Sequence, residues 1–297
     1  MLELLSEHQA FGGVQRFYRH QSTEIGLPMR FSVFLPDAAA GHAGASDASD
    51  ASNTPARLPG LFYLAGLTCT EETFPTKGTA QQHAARHGLI LIAPDTSPRG
   101  AGIPGEADAW DFGVGAGFYV DATEAPWRDR YRMYSYVVNE LTALVGRELP
   151  VDTARLGIFG HSMGGHGALV LGLRNPDRFK SISAFAPIAA PSNCAWGHKA
   201  FGGYLGGDTA RWADYDASEL LATGSAAPHP QPILIDQGLA DAFLRDGQLQ
   251  PEAFEAACAR AGQALTLRRH PGYDHGYYFI ASFMADHIAH HAAILKA

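Results

Sequence analysis

The 297-residue sequence predicts an α/β fold with a mostly parallel central sheet flanked by helices on both faces. Short apolar runs of strand type alternate with helical segments, and this alternation is typical of sheets built from strand–helix–strand units. With 46% hydrophobic residues, a chain of this length can bury one large core, and α/β domains of this size routinely remain single. We therefore expect one domain over residues 1–297.

The apolar patterns place the elements in order along the chain. Strands are expected at residues 14–23, 29–35, 61–64, 89–93, 155–159, 181–188, 232–235 and 265–270. A helix is expected at 127–147, where residues at helical spacing are Tyr131, Tyr134, Val138, Leu141 and Leu144. Further helices are expected after residues 162 and 276, and a long irregular excursion at 191–230 precedes the strand at 232–235.

Residues 38–57 interrupt this pattern. They belong to a stretch rich in Ala, Ser and Asp that has no apolar residue larger than alanine. Such a segment cannot bury enough surface to offset the entropy lost on ordering. We expect a mobile loop inserted between two early strands. A substrate lid is the alternative, and the composition favours a tolerated insertion.

The pentapeptide Gly160-His161-Ser162-Met163-Gly164 carries the strongest chemical signal. It has the pattern G-x-S-x-G, follows the strand at 155–159 and opens a helix of small residues. On such a turn the serine Oγ projects from the sheet edge, and the glycines let the backbone pass close to its neighbours. Ser162 is therefore the predicted nucleophile.

A serine nucleophile needs an acid and a histidine, which follow it in the order Ser, Asp, His in α/β-hydrolases. Asp241 lies in the loop beyond the strand at 232–235, whereas Asp236 stands at the end of that strand and is expected to cap or hydrogen-bond locally. His275 ends the turn-rich segment after the last strand. We expect an α/β-hydrolase fold with Ser162, Asp241 and His275 as its catalytic triad.

Two other histidines compete with His275 for the role of base. His161 precedes the serine, so its side chain is expected to diverge from the Oγ, and His166 lies on the first turn of the following helix. Both are expected to pack behind the site.

The oxyanion of an acyl-transfer reaction needs backbone N–H donors, usually one after the serine and one from a loop after an earlier strand. Met163 follows the serine directly. Leu67 follows the strand at 61–64 and is the expected second donor.

Long motifs from the first strands to the last helix carry a family resemblance. They lie at residues 66–72, 93–100, 110–113, 115–123, 131–136, 159–168, 183–188, 235–238 and 272–275. The DTSPRG and WDFGxGAGFYVDAT stretches among them are far more specific than G-x-S-x-G. The chain resembles the S-formylglutathione hydrolases, the esterase D family of the α/β-hydrolase superfamily.

The resemblance implies a serine thioesterase that hydrolyses S-formylglutathione to glutathione and formate in formaldehyde detoxification, through a formyl-serine intermediate. It implies the triad and oxyanion donors already chosen from the residues, a homodimer, and no cofactor. Two positions depart from the family pattern: Gly276 stands where serine is usual, and Lys77-Gly78-Thr79 replaces the usual Lys-x-Gly. Neither position touches the triad.

Several residues are candidates for lining the site. Cys69 lies two residues past Leu67, and its alkylation is expected to block activity. The excursion at 191–230 supplies possible acyl-pocket walls, namely Trp196, Phe201, Tyr204 and Trp212, of which half or more are expected to pack the core instead. Candidates for binding the glutathione carboxylates are Lys77, Arg99 and Lys199.

Two clusters have spacings that a metal ion would accept, and neither is expected to bind one. His287, His290 and His291 recur along the last helix at i, i+3 and i+4, but no carboxylate or loop ligand that would complete a metal site is evident. The group Asp214, Asp216 and Glu219 lacks the twelve-residue loop with a central glycine that calcium sites use.

Composition and charge exclude several function classes. The net charge of −8 argues against a nucleic-acid partner, and the sequence shows no signal peptide or apolar run of membrane-spanning length. The odd count of three cysteines without metal-ligand spacing indicates a reducing compartment, the cytoplasm. A general short-chain carboxylesterase is the alternative function; an acyltransferase would need an alcohol acceptor, and an interaction scaffold would need a broken triad.

Overall fold

One mixed sheet organises the chain. The computed structural model describes residues 2–40 and 57–297, and within them nine strands are ordered β1-β2-β3-β5-β4-β6-β7-β8-β9. The strands are β1 (Glu3–Gln9), β2 (Gly13–Gln21), β3 (Pro28–Pro36), β4 (Leu58–Leu64), β5 (Ile90–Pro94), β6 (Val151–His161), β7 (Phe179–Phe185), β8 (Ile233–Gly238) and β9 (Leu265–His270).

Helices connect the strands. They are α1 (Asp37–Ala40), α2 (Thr73–Lys77), α3 (Gln81–His87), α4 (Met133–Ser135), α5 (Thr142–Glu148), α6 (Met163–Arg174), α7 (Ala195–Tyr204), α8 (Ala217–Ala222), α9 (Ala242–Arg245), α10 (Pro251–Ala261) and α11 (Tyr277–Leu295). Two 3₁₀ segments, Pro191–Asn193 and Thr209–Tyr215, lie in the excursion before β8.

The sheet is mostly parallel, as predicted. β1, β2, β3 and β5 pair antiparallel in succession, and from β5 through β4, β6, β7 and β8 to β9 every pairing is parallel. The carboxyl ends of the parallel strands therefore meet at one edge of the sheet, where active sites of open α/β sheets lie. The loops after β4, β6, β8 and β9 face one another there.

Helices cover both faces of the sheet. A Cβ placed on Gly172 of α6 would lie 2.4 Å from the Cδ1 atom of Ile182 in β7, so α6 packs on the face that carries Ile182. The neighbouring Ser181 and Ser183 instead hydrogen-bond to His291 of α11. Since successive side chains of a strand point to opposite faces, α6 and α11 lie on opposite faces.

The predicted helix at 127–147 begins later than expected. It starts at Met133, continues through a π-helical stretch at Tyr136–Leu141 and ends with α5. Turns at residues 125–130 precede this helix, and Asp121 pairs with Arg132 in an isolated β-bridge. The prediction began too early because Trp127 and Tyr131 are apolar and buried, as on a helix face, although they belong to the turn region before the helix.

Two segments among the first sixty residues also need comment. β1 was not predicted, because six of its seven residues are exposed and give no apolar alternation. In the stretch at 38–57, Asp37–Ala40 forms one helical turn, and the expected mobile loop falls largely on residues 41–56, which lie outside the described part of the chain.

Candidate active site

Ser162 lies on a strained turn between β6 and α6. Its φ is +58° and its ψ is −119°, a conformation that costs a non-glycine residue about 1–3 kcal/mol. The turn is close-packed: a Cβ on Gly164 would lie 1.9 Å from the carbonyl oxygen of Leu64. Only glycine fits there, which explains this part of the G-x-S-x-G pattern.

The structure brings Asp241 and His275 together. His275 Nδ1 lies 2.6 Å from Asp241 Oδ2, although the residues are 34 positions apart. The other carboxylate oxygen of Asp241 accepts from the backbone N–H groups of Phe243 (2.8 Å) and Leu244 (3.4 Å). Burial raises the pKa of Asp241, but the hydrogen bonds from His275 and these amides outweigh it and lower the pKa overall. The carboxylate is therefore ionised at neutral pH.

Ser162 and His275 line one small cavity. Its volume is about 220 Å³, and the other residues that line it are Gly66, Leu67, Thr68, Cys69, Trp110, His161, Trp196, Phe243 and Tyr277. Within the described residues no hydrogen bond joins the Ser162 hydroxyl to His275, and catalytic hydrogen bonds of this kind often tighten only in the substrate complex. The structure thus pairs Asp241 with His275 and places Ser162 in the same cavity as His275.

The two expected oxyanion donors have unused amides. In the part of the chain that the structure describes, the N–H groups of Leu67 and Met163 donate no hydrogen bond, whereas the adjacent Ser162 N–H bonds to Phe185 O (3.0 Å) and Thr68 N–H to Gly115 O (2.9 Å). Met163 is also the first residue of α6, so the positive end of the helix dipole points to the same place. Both amides can receive a developing negative charge.

Aromatic rings form the walls of the cavity. Trp196 packs on Phe243 with ring centroids 4.8 Å apart and lies edge-on to Trp110 at 5.6 Å. Trp110 is 54% exposed, so it stands at the mouth. Of the four aromatic candidates from the excursion, only Trp196 lines the cavity; the buried rings of the other three pack in the core.

Cys69 lines the same cavity as Ser162. Burial raises the pKa of its thiol, so at neutral pH the group is a protonated thiol and not a nucleophile.

Among the large side chains that line the cavity, sequence reasoning did not consider Trp110, Phe243 and Tyr277. Phe243 and Tyr277 each stand two positions after a predicted triad member, and Trp110 lies in a family motif. Their closeness in sequence to the predicted triad, or to a family motif, was the signal that could have pointed to them.

The competing histidines have other places. His166 Nε2 lies 2.9 Å from the Phe118 carbonyl oxygen, so this residue packs behind the site as expected. The expectation for His161 was wrong: its ring lines the cavity, with its centroid 4.4 Å from that of His275. Burial lowers the pKa of His161 well below its usual value, with a further contribution from His275. It stays neutral there.

Asp236 does not bond locally, contrary to expectation. Its buried carboxylate accepts from Arg268 at 2.6 and 2.5 Å, and His287 Nε2 of α11 lies 3.2 Å away. His287 Nδ1 lies 2.8 Å from Ser183 Oγ. This polar group lies under the sheet edge and fixes α11 to β7, β8 and β9.

The residues of the two possible metal clusters make protein contacts. His291 bonds to Ser181 and Ser183, and His290 lies 3.2 Å from the Ile182 carbonyl oxygen. Asp216 caps α8 through the N–H groups of Ser218 and Glu219. Among the described residues, no group of three or more His, Cys, Asp or Glu side chains is arranged to hold a metal ion.

Comparison with known proteins assigns the chain to a family. The family model described as "Putative esterase" matches residues 22–290. The S-formylglutathione hydrolase of Bos taurus is 52% identical over 297 residues, which cover 100% of this chain and 99% of that protein. The chain belongs to the S-formylglutathione hydrolase family. The member from Paracoccus denitrificans is 48% identical over 291 residues, covering 98% of this chain and 97% of that one.

Solved structures agree with this family assignment. The structure of an S-formylglutathione hydrolase from Agrobacterium tumefaciens is 47% identical, covers 98% of this chain and 99% of its own, and superposes with a TM-score of 0.90. The serine hydrolase FphF of Staphylococcus aureus, at 20% identity and a TM-score of 0.71, shares the fold. The predicted α/β-hydrolase fold and family are confirmed. No helix of this family member, within its described residues, is long and apolar enough to cross a membrane.

Proposed function

We propose that this protein hydrolyses S-formylglutathione to glutathione and formate, as a step of formaldehyde detoxification. The observation that carries the proposal is full-length identity of 52% to an S-formylglutathione hydrolase. The size of the cavity supports it: about 220 Å³ is less than sites that enclose drug-sized ligands. A formyl group and its thioester fit inside, and the peptide part of glutathione extends past the mouth.

The proposed acylation step uses the groups around the cavity. Ser162 Oγ attacks the formyl carbon while His275 Nε2 takes the hydroxyl proton, and Asp241 holds the imidazole through Nδ1. The N–H groups of Leu67 and Met163 stabilise the oxyanion. Collapse of the tetrahedral intermediate breaks the C–S bond, and the proton on His275 passes to the sulfur. Glutathione leaves, and formyl-Ser162 remains.

Deacylation repeats the same steps with water. His275 removes a proton from water, the hydroxide attacks the formyl carbon, and the proton returns to Ser162 Oγ as formic acid departs and ionises to formate. A thiol has a pKa near 8.5, so the thiolate is a far better leaving group than an amine. The site therefore needs less acid assistance in acylation than a protease does.

Steady-state kinetics test the proposal. We expect kcat/KM for S-formylglutathione to exceed that for p-nitrophenyl acetate by about 100-fold or more, with both activities lost in Ser162→Ala. Comparable values for the two substrates would instead make the protein a general short-chain carboxylesterase. Acyl transfer to an added alcohol in preference to water would make it an acyltransferase.

We also propose a homodimer in the cytoplasm. The family resemblance supports the dimer, and light scattering on the purified protein measures it. A reducing compartment is supported by the three cysteines, Cys69, Cys194 and Cys258, which are all unpaired. Cell fractionation with an antibody to the protein tests the location.

A further inference from the structure

Gln237 lies beside the catalytic carboxylate and has no part in the mechanism given above. It is the fifth residue of β8, is completely buried, and precedes Asp241 by four positions. Its Nε2 donates to the Gly238 carbonyl oxygen at 3.0 Å and to Asp241 Oδ2 at 3.3 Å. Both N–H bonds of the side-chain amide are therefore used.

The orientation of this amide follows from its neighbours. The two atoms within reach of its nitrogen are oxygens that can only accept, so a flipped amide would place oxygen against oxygen. In the orientation that results, Oε1 has no hydrogen-bond partner among the described residues. A buried unsatisfied acceptor costs about 1–3 kcal/mol, and an apolar side chain of the same size would avoid that cost. Such a side chain would also lose the two donated hydrogen bonds, so the cost of the unsatisfied oxygen largely offsets what those bonds contribute, and the net gain in stability from a glutamine here is small.

We propose that Gln237 is a positioning residue that acts on the reaction through Asp241. This inference rests on the proposed function only in taking Asp241 as the acid of the triad. Oδ1 of Asp241 is held by two backbone amides, and Oδ2 is held by Gln237 and His275. Gln237 thus fixes the carboxylate plane and withdraws negative charge from the oxygen that faces the imidazole.

Other charged and titratable groups surround the Asp241–His275 pair and are unchanged by substitution of Gln237. They are His161 beside the imidazole, Cys69 and Tyr277 across the cavity, Lys77 over the Tyr277 ring, Asp274 directly before His275 in sequence, and Asp236 with Arg268 on the other side of β8. A change in pH dependence between variants at position 237 therefore reports on the contact with Asp241.

Removing the donor has two expected consequences. The Asp241 carboxylate can then rotate, so His275 is less often oriented towards Ser162 and kcat falls. KM stays constant because Gln237 does not line the cavity. Oδ2 also becomes more negative and stabilises the imidazolium more strongly. The acid limb of the pH profile of kcat/KM, where His275 must lose its proton, therefore moves to higher pH.

The test compares variants of similar side-chain volume on p-nitrophenyl acetate. In Gln237→Met, which has no donor, we expect kcat to fall about tenfold, KM to stay within about twofold, and the acid-limb midpoint to rise by about half a pH unit. In Gln237→Glu, a protonated carboxyl keeps one donor and an ionised one repels Asp241. Its activity should therefore be closest to wild type at low pH and decline as the pH rises.

The matched control is Gln263→Met. Gln263 is also buried, and its Nε2 donates to the carbonyl oxygens of Gln231 and Ala264, away from the cavity. This variant should change thermal stability but keep the wild-type pH profile per folded molecule. Circular dichroism gives the folded fraction of each variant. If Gln237→Met does not fold, the pH dependence of Gln237→Glu provides the test.

Two results would overturn the inference: a wild-type pH profile in the Gln237 variants, or losses that match only the folded fraction, as in Gln263→Met. Failure of the proposed function looks different. In that case the wild-type enzyme shows no preference for S-formylglutathione, and the comparison among Gln237 variants on p-nitrophenyl acetate still stands.

Discussion

Asp236 and His287 form a second buried aspartate–histidine pair, with Oδ2 and Nε2 3.2 Å apart. Ser183 Oγ lies 2.8 Å from the other nitrogen of His287, so Ser183, Asp236 and His287 repeat the chain order of a serine-hydrolase triad. Burial distinguishes the two sets. The imidazole and carboxylate of the second set are completely buried, whereas Ser162 and His275 line a cavity.

Asp236→Asn is expected to destabilise the protein. Arg268 keeps its second partner, Asp286, but loses its two-point contact with a buried carboxylate, and we expect the free energy of unfolding at pH 7 to fall by about 3 kcal/mol. Burial raises the pKa of Asp236, but its bonds to His287 and Arg268 bring it below the usual 3.8. A carboxyl with a depressed folded pKa stabilises above its unfolded pKa and loses that contribution as the pH falls through the folded value.

Urea unfolding at several pH values measures this effect. The difference between wild type and Asp236→Asn should be constant above about pH 4 and should shrink below it. The exposed Asp246→Asn serves as the control and should change stability by less than about 0.5 kcal/mol. An equal loss from both substitutions would mean that the contacts of Asp236 are energetically unimportant.

Ser162→Ala is expected to lower kcat by at least about 10³-fold, because the residual rate then depends on binding and the oxyanion donors alone. A fluorophosphonate should label wild type at Ser162, and intact-mass measurement should show no label on the variant. Labelling of another serine, such as Ser183, would refute the assignment of the nucleophile.

Trp196→Ala is expected to widen acyl specificity. The indole forms a wall of the cavity against Phe243, so its removal makes room for longer acyl groups. We expect the ratio of kcat/KM for p-nitrophenyl butyrate to that for the acetate to rise about tenfold. Trp212→Ala removes an equal volume from the core, away from the cavity. It should leave the ratio unchanged, since a ratio does not depend on the folded fraction.

Lys77→Ala is expected to weaken binding of S-formylglutathione. The Lys77 ammonium lies 5.9 Å from the centroid of the Tyr277 ring beside the cavity, and it forms no ion pair in the described residues. The other two candidate cations are already paired, Arg99 with Asp95 and Lys199 with Asp111. An exposed ion pair to a substrate carboxylate contributes up to about 1 kcal/mol, so KM should rise about two- to fivefold.

Two comparisons make the Lys77 experiment specific. Hydrolysis of the neutral p-nitrophenyl acetate should be unaffected, and Lys199→Ala should change KM for the thioester less than Lys77→Ala does. Raised salt should increase KM of wild type but not of Lys77→Ala. An unchanged KM in Lys77→Ala would assign the carboxylates to other residues.

Iodoacetamide is expected to inactivate the enzyme through Cys69. The thiolate is the reacting species and burial raises the pKa of this thiol, so inactivation should be slow at pH 7 and accelerate towards pH 9 and above. Cys69→Ser should resist the reagent, and Cys258→Ser, which changes a core cysteine, should not. Equal sensitivity of Cys69→Ser and wild type would show that another group is modified.

The sequence contained enough information for the parallel sheet and for the residues that the structure brings together at its edge. G-x-S-x-G reports a backbone constraint, since a Cβ on Gly164 collides with Leu64 O, and chain order then selected Asp241 and His275. The glycine pattern is local in sequence, and the order of the three residues along the chain does not depend on knowing which segments are in contact, so both could be read from one chain.

What the sequence did not reveal depends on contacts between distant segments. The partners of Asp236 come from Arg268 and His287, 32 and 51 residues away, and no local pattern records them. The late start of the helix at Met133 is similar, because Trp127 is buried by packing against Phe112 and Tyr204 rather than by a helical face. Likewise, Trp110 reaches the cavity only because its loop folds back onto Trp196.

The positive φ of Ser162 sets activity against stability at a single residue. Glycine adopts this conformation without strain, so Ser162→Gly would relieve about 1–3 kcal/mol while removing the proposed nucleophile. The folded protein is therefore less stable than a chain free of catalytic demands would be. That deficit must be offset by the rest of the core, and it leaves less tolerance for destabilising mutations elsewhere.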